Sequence, residues 1–344
     1  MSLKILEDIQ SKARSGLKRI ALGDAFDDRM VLAAREATDR SLAHMVLIGD
    51  PYLIERTAER SGVSLDGIEI ISPGMYEELE KLATHYFKRR KGKVASIKDA
   101  MEEAASNDLL FGSLLTGAGM VDGMLAGSLS STGDVLRAAL KGIGIAPKVS
   151  VLSSMFLMCF PAIQTIREHE FVLGFGDCAV LPDPNAEQLA DVAISTARTY
   201  RALTGNEPYV AMLSFSTKGS AVSPSTQKVI EASAIAHAKA PELSIDGELQ
   251  FDAAFVPDVA ARKAKNSTVA GRANVFIFPN LDAGNIGYKL AERLGMGEAI
   301  GPVLQGLAHP MNDLSRGAHV SDIVNMIAIT SLQAASVETA PIIA

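Results

Sequence analysis

The chain has 344 residues, 48% hydrophobic and 21% charged, so a globular fold of one large or two medium domains is expected. A net charge of -7 argues against a general nucleic-acid partner or an anionic membrane surface. With no tryptophan and 5% aromatic residues, a stacking platform for single-stranded nucleic acid is not expected. The apolar runs are too short to span a bilayer and the N-terminus predicts an amphipathic helix, so we expect a cytoplasmic protein.

In the first half of the chain, short apolar runs alternate with segments of helical periodicity. Apolar runs without internal alternation are typical of strands buried on both faces, which predicts a mainly parallel sheet covered by helices on both sides. The predicted strands are residues 19–23, 45–49, 68–71 and 120–125, and the predicted helices are residues 29–40, 53–61, 76–90, 97–105 and 134–140, after a first helix within residues 1–14.

The second half repeats this alternation with one difference. Residues 148–160 and 170–181 are two long apolar runs in succession, which indicates a hairpin and a domain boundary just before it. The further predicted strands are residues 209–215, 249–254, 274–278 and 303–307, and the predicted helices are residues 186–202, 225–240 and 285–294.

The two cysteines, Cys159 and Cys178, lie in the two runs of this hairpin without a C-x-x-C spacing. We interpret them as buried free thiols, because neither has the basic, partly exposed surroundings that a catalytic thiolate needs. The six histidines lack metal-ligand spacing, so no metal site is predicted. A glycine pair at Gly174 and Gly176 is not followed by a helix, which argues against a dinucleotide-binding fingerprint.

The chemically richest stretch follows the predicted strand at residues 303–307. A polar loop over residues 310–317 leads there to a predicted helix. Ser315, Arg316 and Asp322 bring a hydroxyl, a guanidinium and a carboxylate to this strand–loop–helix unit. Such groups can polarise a carbonyl, hold a phosphate and accept a proton, and open α/β sheets bind ligands at strand ends of this kind.

Six ordered segments, which together extend over nearly the whole chain, resemble the phosphate acetyl/butyryl transferase family, to which the phosphate acetyltransferases belong. They are residues 121–127 with 132–140, 177–184, 212–220, 246–254, 278–289 and 302–323. The resemblance implies two α/β domains with mainly parallel sheets in αβα layers, like those of isocitrate and isopropylmalate dehydrogenases, and an active-site cleft between the domains. The last helix is then expected to return to the first domain. The expected domains are residues 1–148 with 310–344, and residues 149–309.

The resemblance implies reversible transfer of an acetyl group between acetyl phosphate and coenzyme A, a reaction of acetate metabolism that also yields or consumes phosphate. Coenzyme A is then a co-substrate, no tightly bound cofactor is expected, and family members suggest a homodimer. One alternative is a phosphate butyryl- or propionyltransferase, which differs in its acyl pocket. Another is a noncatalytic regulatory domain like that of some malic enzymes, which predicts a longer chain or loss of the candidate catalytic residues. A nicotinamide dehydrogenase is disfavoured by the missing fingerprint.

The resemblance assigns the catalytic base to Asp322, the acyl carbonyl contact to Ser315 and the phosphate contact to Arg316. A carboxylate of pKa near ~3.9 takes a proton from a thiol of pKa near ~8.5 at a cost of roughly 6 kcal/mol. This cost must therefore be offset. Burial could raise the pKa of Asp322, a nearby arginine could stabilise the thiolate, or proton transfer could be concerted with attack of the sulfur on the carbonyl. The competing interpretation is that Asp322 only complements the N-terminus of its helix.

A second group of candidates is expected to bind substrate phosphates. Ser131 and Thr132 precede the predicted helix that contains Arg137, and the N–H groups at such a helix start bind phosphate. The alternative is that the hydroxyls only cap the helix and the arginine is solvated. The resemblance adds a phosphate-binding arginine at Arg89, with Arg90 as its competitor because this segment is one residue shorter than the common family pattern.

Two candidates lie in the second half of the chain. Lys218 follows the predicted strand at residues 209–215 within a hydroxyl-rich run, where it could bind a phosphate of coenzyme A, although the run lacks P-loop spacing. Asn285 either lines the expected cleft or only begins the helix predicted from that residue.

Overall fold

The structure is a computed structural model that describes residues 4–162 and 169–337. It divides into two compact units, Met1–Pro147 with Leu307–Ala344, and Lys148–Gly306. Of the first domain expected from the sequence, residues 1–3 and 338–344 lie outside the described residues. Each unit combines one sheet with packed helices, so the predicted α/β class is confirmed.

The first unit is built on a five-stranded sheet in the order β11-β4-β1-β2-β3, with every strand pair parallel. The chain passes from β1 outward to β2 and β3 and then returns to the other side of β1 with β4. The order of the strands therefore reverses between β1 and β4, and ligands of open α/β sheets bind at such a point. The strands are β1 (Arg19–Leu22), β2 (His44–Ile48), β3 (Glu69–Ile71), β4 (Gly123–Ala126) and β11 (Met311–Asp313).

Helices pack against both faces of this sheet, because successive strand residues point to opposite sides. Gly123 lies against Thr330 of α13, whereas the next residue, Met124, lies against Gly112 of α6. α13 also packs on α1 and α2, and α7 packs on α6. The helices of this unit are α1 (Lys4–Arg14), α2 (Asp28–Asp39), α3 (Pro51–Ser61), α4 (Leu79–Arg89), α5 (Ile97–Ala105), α6 (Asp108–Gly117), α7 (Thr132–Gly142) and α13 (Val320–Ser336).

The second unit has a six-stranded mixed sheet in the order β10-β5-β6-β9-β7-β8. Its strands are β5 (Ser153–Phe160), β6 (Phe171–Gly176), β7 (Tyr209–Leu213), β8 (Ser244–Leu249), β9 (Val275–Ile277) and β10 (Glu298–Gln305), and its helices are α8 (Ala186–Thr204), α9 (Pro224–Lys239), α10 (Phe251–Phe255), α11 (Pro257–Lys263) and α12 (Leu281–Leu294). β5 and β6 pair antiparallel, as the predicted hairpin requires. Alternate residues of β5 join one apolar cluster, where Phe156 stacks on Tyr288 of α12 with ring centroids 4.2 Å apart.

Both cysteines have the character predicted for them. Cys159 and Cys178 are free and buried in the second unit. Burial raises the pKa of both thiols, so neither has thiolate character at neutral pH.

Two predicted elements are wrong, and three helices, α6, α10 and α11, were not predicted. The strand predicted at residues 249–254 ends at Leu249, and the next residues form α10, where Phe251 stacks on Phe255 across one helical turn. The polar loop predicted over residues 310–317 begins with β11, whose polar residues have partners in α13 and α7. Of the helices that were not predicted, α6 is apolar on nearly all sides and so lacks a helical period.

The strand predicted at residues 303–307 belongs to β10, which begins earlier, at Glu298, and lies in the second unit. β11 is therefore the strand that leads into the loop containing Ser315 and Arg316. Among residues 4–162 and 169–337, no helix has both the length and the apolar character needed to cross a bilayer.

Candidate active site

Three loops of the first unit leave the carboxyl ends of three adjacent parallel strands. They are the β1 loop (residues 23–27), the β4 loop (residues 127–131) and the β11 loop (residues 314–319). Because β11, β4 and β1 are neighbours in the sheet, their loops emerge side by side at one edge. This edge includes the point where the strand order reverses, which is the usual place for a ligand in an open α/β sheet.

Asp24 joins the β1 loop to the β4 loop. Its Oδ2 accepts hydrogen bonds from the backbone N–H of Gly127 at 2.8 Å and from those of Leu129 and Ser130 at 3.3 Å. Its Oδ1 accepts a hydrogen bond from the Ser130 hydroxyl at 2.6 Å. Asp24 has a positive φ of 52°, a conformation that aspartate adopts more readily than most residues. One carboxylate thus binds three backbone N–H groups of the β4 loop.

Asp313, at the end of β11, joins the β11 loop to the start of α7. Its Oδ2 accepts a hydrogen bond from the Thr132 hydroxyl at 2.7 Å, while Oδ1 has no hydrogen-bond partner among the described residues. Burial, aided by the negative charge of Asp24, raises the pKa of Asp313 to about 6, although the hydrogen bond from Thr132 opposes this rise. A Cβ on Gly127 would lie 2.3 Å from this Oδ1, so only glycine fits beside the carboxylate.

The β11 loop presents Ser315 and Arg316 to solvent. A turn gives it its shape: the backbone N–H of Ala318 donates to the Ser315 carbonyl at 2.9 Å, and that of Gly317 donates to the Ser315 hydroxyl at 3.2 Å. The Arg316 guanidinium makes no hydrogen bond or ion pair within residues 4–162 and 169–337. A guanidinium in this state can bind a phosphate without first losing a protein partner.

Asp322 lies in the first turn of α13, directly after the β11 loop. Its Oδ2 accepts a hydrogen bond from the backbone N–H of His319 at 2.8 Å. The structure therefore contains the hydrogen bond that the helix-capping interpretation predicts. The second carboxylate oxygen has no hydrogen bond to any described residue, so a proton-accepting role is geometrically open alongside capping.

The start of α7 brings together Ser131, Asp134 and Arg137. Ser131 is the N-cap of α7, and its hydroxyl accepts a hydrogen bond from the Asp134 N–H and donates to the Asp134 carboxylate. Arg137 is exposed and forms an ion pair with the same carboxylate. Hydrogen bonds from Ser131 and Arg137 lower the pKa of Asp134. A phosphate that reached Arg137 would therefore compete with Asp134 for the guanidinium.

Arg89 binds the opposite end of the same helix. Its Nη1 donates to the Gly142 carbonyl at 2.6 Å and its Nη2 to the Lys141 carbonyl at 3.1 Å. These are among the last carbonyls of α7, where cations are favourable. Arg90 is the C-cap of α4 and is half-buried, and its Nε has no partner among the described residues.

Lys218 and Asn285 belong to the second unit. Lys218 has a positive φ of 50°, and its ammonium group pairs with Asp246 and donates to the Gly247 carbonyl at 3.0 Å. Asn285 is the fifth residue of α12 and donates from Nδ2 to the Cys178 carbonyl at 3.0 Å. Both side chains therefore have protein partners already. Within the described part of the chain, no group of three His, Cys, Asp or Glu side chains is placed to hold a metal ion.

Comparison with known proteins identifies the family. Residues 4–331 match the phosphate acetyl/butaryl transferase family. The chain belongs to this family. A phosphate acetyltransferase from Acetivibrio thermocellus is 44% identical over 332 residues, which cover 96% of this chain and 98% of that protein. The structure of a phosphotransacetylase from Streptococcus pyogenes matches with a TM-score of 0.90 and 40% identity, over 97% of this chain and 99% of that one.

The fold extends beyond the family. A 4-hydroxythreonine-4-phosphate dehydrogenase from Klebsiella pneumoniae matches with a TM-score of 0.51 at 14% identity, over 92% of this chain and 99% of that one, which shows a shared fold alone. This likeness agrees with the dehydrogenase-like architecture predicted from the sequence.

The sequence analysis did not identify Asp24 or Arg29, whose side chains form hydrogen bonds with the site loops. Both come shortly after the first predicted strand, so their position at a strand end was a usable signal. Asp313 was assigned to a loop, and its buried carboxylate was not recognised. The side chains that reach these groups are distant along the chain, and the local sequence does not show them.

Proposed function

We propose that the chain is a phosphate acetyltransferase, which transfers an acetyl group reversibly between acetyl phosphate and coenzyme A. One observation supports this most. The family match over residues 4–331 includes the β11 loop, in which Ser315 and Arg316 are exposed and the Arg316 guanidinium has no partner in the described part of the chain. The relatives at 40–44% identity are named for this activity and match nearly end to end. Coenzyme A is a co-substrate in this proposal, and no tightly bound cofactor is required.

In the proposed mechanism, the sulfur of coenzyme A attacks the acetyl carbonyl carbon. A carbon–sulfur bond forms, the bond from that carbon to the bridging phosphate oxygen breaks, and phosphate leaves. Asp322 takes the thiol proton, and Ser315 donates a hydrogen bond to the carbonyl oxygen as it gains negative charge. Arg316 binds the departing phosphate, for which a planar guanidinium is better suited than an ammonium group.

The substrate phosphates are assigned to the remaining candidates. Arg137, with Ser131 and Thr132 at the start of α7, is proposed to bind one phosphate group, since helix N-termini attract anions. Arg89 is proposed to bind a second phosphate, with Arg90 as the alternative. Because Arg89 binds two α7 carbonyls, recruiting it requires those hydrogen bonds to be exchanged for the phosphate. Lys218 and Asn285 are proposed to contact coenzyme A from the second unit.

A homodimer in the cytoplasm completes the proposal. The family resemblance suggests the dimer, and an exposed apolar stripe on α12 supports it. Ile286, Leu290 and Leu294 recur at every fourth position and are 59%, 53% and 80% exposed. Such a stripe on one helix face is typical of a surface that another chain covers. Light scattering after size-exclusion chromatography should give twice the chain mass, whereas a single-chain mass would contradict the dimer.

An acyl-phosphate panel tests the activity. Purified protein is mixed with coenzyme A and acetyl, propionyl or butyryl phosphate, and thioester formation is followed by absorbance without added nicotinamide. We expect acetyl phosphate to give the highest kcat/KM. A preference for butyryl or propionyl phosphate would assign a different acyl pocket. No thioester above background, with an active control enzyme in the same buffer, would contradict catalysis and favour a regulatory domain.

A further inference from the structure

Arg29 is outside the predicted site, yet its side chain contacts all three site loops. It lies in the first turn of α2, whose N-cap is Asp27. Arg29 Nε donates to both carboxylate oxygens of Asp27 at 3.1 Å, and Nη2 donates to Oδ2 at 2.6 Å. The Asp27 side chain is only 8% exposed. Burial acts to raise the pKa of Asp27, but the hydrogen bonds from Arg29 outweigh it and lower that pKa, so the pair stays ionised.

The other N–H groups of Arg29 bind backbone carbonyls. Nη1 donates to the carbonyl oxygens of Arg316 and Ala318, both at 2.8 Å, and Nη2 donates to that of Ser128 at 3.0 Å. A guanidinium has five N–H groups. Together with the contacts to Asp27, these hydrogen bonds use all five. Arg29 therefore has no donor left for a substrate phosphate, unlike Arg316.

We propose that Arg29 is a positioning residue that fixes the backbone on both sides of Gly317 and ties the β11 loop to the β4 loop. It acts through Ser315 and Arg316, so the inference rests on the proposed function of the β11 loop. The fork of a guanidinium is needed, because three carbonyls and a carboxylate must be reached from one rigid plane. A lysine at this position has three donors on a flexible stem and cannot reproduce the set.

Arg29→Lys tests the proposal with charge retained, and Arg35→Lys is its matched control. Arg35 lies six residues further along α2, where it binds the carbonyls of Ser64 and Asp66 and the carboxylate of Asp39. Both variants lose carbonyl contacts from the same helix, so we expect similar small decreases in melting temperature. Only Arg29→Lys should lower kcat/KM for acetyl phosphate, by about ten- to hundredfold, because small misplacements of catalytic groups have effects of this size.

A double-mutant cycle separates positioning from general damage. If Arg29 acts through the β11 loop, combining Arg29→Lys with Arg316→Gln should lower activity little beyond Arg316→Gln alone. Adding Arg35→Lys to Arg316→Gln should leave the activity of the Arg316→Gln variant unchanged, because Arg35→Lys has no effect on kcat/KM of its own. Wild-type kinetics in Arg29→Lys, or losses that multiply in its double variant with Arg316→Gln, would overturn the proposal.

Limited trypsin digestion gives a measurement that needs no activity. Arg316 is itself a trypsin site in an exposed loop, and cleavage there releases a fragment beginning at Gly317. The fragment should appear faster from Arg29→Lys than from the wild-type protein or Arg35→Lys, because cleavage requires a mobile backbone. Equal rates in all three proteins would overturn the inference. A wild-type protein without acetyl transfer would instead refute the proposed function and leave this comparison decisive for Arg29.

Discussion

Replacing Asp313 with asparagine should change how stability depends on pH. Asp313 is 3% exposed, and one of its oxygens is bound by Thr132 while the other has no partner among the described residues. Asparagine is nearly the same size as aspartate, and its amide oxygen can still accept the Thr132 hydrogen bond. The free-energy cost of burying the amide N–H groups of the asparagine does not vary with pH. The pH-dependent part of the difference therefore reports the carboxyl group alone.

The direction of the pH dependence follows from the raised pKa of Asp313. Burial, with the negative charge of Asp24, raises the pKa of Asp313 to about 6 in the folded chain, against ~3.9 for an unperturbed aspartate. Between these values the folded state binds more protons than the unfolded state, so this carboxyl lowers stability as pH rises. The full difference between the folded and unfolded pKa values of Asp313 corresponds to roughly 3 kcal/mol in the free energy of unfolding. The stability of Asp313→Asn relative to wild type should therefore rise by up to about 3 kcal/mol between pH 4 and pH 7.5.

Urea unfolding across this pH range measures the difference, followed by far-ultraviolet circular dichroism because the chain has no tryptophan. Asp134→Asn is the matched control. Hydrogen bonds from Ser131 and Arg137 lower the pKa of Asp134, so its contribution is present at neutral pH and is lost in acid. The stability of Asp134→Asn relative to wild type should therefore fall as pH rises, opposite to that of Asp313→Asn. A flat or falling difference for Asp313→Asn would refute the assignment of a buried, reluctantly ionised carboxyl.

Three further outcomes are expected. Asp322→Asn should lower turnover by roughly 10²–10⁴-fold at neutral pH, with partial recovery near the pKa of the thiol. Normal turnover in a steady-state assay would exclude Asp322 as the base and leave it only its capping role. Arg316→Gln and Arg137→Gln should each lower kcat/KM for acetyl phosphate by about ten- to hundredfold, and kinetics altered for coenzyme A alone would assign these arginines to the nucleotide. Gly127→Ala should destabilise the chain by about 2 kcal/mol or more, because its φ is +108° and the new Cβ would lie 2.3 Å from Asp313. Gly133→Ala, whose Cβ would approach Arg137 no closer than 3.5 Å, should be neutral or stabilise α7 by up to about 1 kcal/mol. Thermal and urea unfolding of the two glycine variants compare them directly, and equal stabilities would contradict the steric argument.

The sheet of the first unit could be predicted where the sequence shows a local pattern. β1, β2 and β4 are continuous apolar runs, and such runs indicate buried parallel strands. β11 lacks this pattern because two of its three residues are polar, and they are stable in the sheet only through distant partners. Asn312 donates to Thr330 and Gln333 of α13, and Asp313 accepts from Thr132 of α7. A polar residue looks like a loop residue until its partners are known.

The family resemblance identified Ser315, Arg316 and Asp322 as candidates, but could not show what else each group binds. Asp322 illustrates the limit. Its position three residues after the helix N-cap suits a capping carboxylate as well as a base, and the structure gives it the capping hydrogen bond to His319. Since capping occupies only Oδ2, the two roles do not exclude each other. The choice between them depends on proton affinity in the presence of substrate, which spacing along a chain does not determine.

The sequence also does not show which partners each arginine has. In the sequence, Arg29, Arg89, Arg137 and Arg316 are equivalent cations near polar segments. In the structure, Arg29 uses all five donors on the protein and Arg89 binds two helix-end carbonyls. Arg137 shares a carboxylate with Ser131, and the guanidinium of Arg316 has no partner among the described residues. A phosphate binds most readily where the guanidinium must give up least. We therefore propose Arg316 as the first phosphate ligand and Arg29 as a support for the loops, a division that depends on carbonyls positioned by loops far apart in the chain.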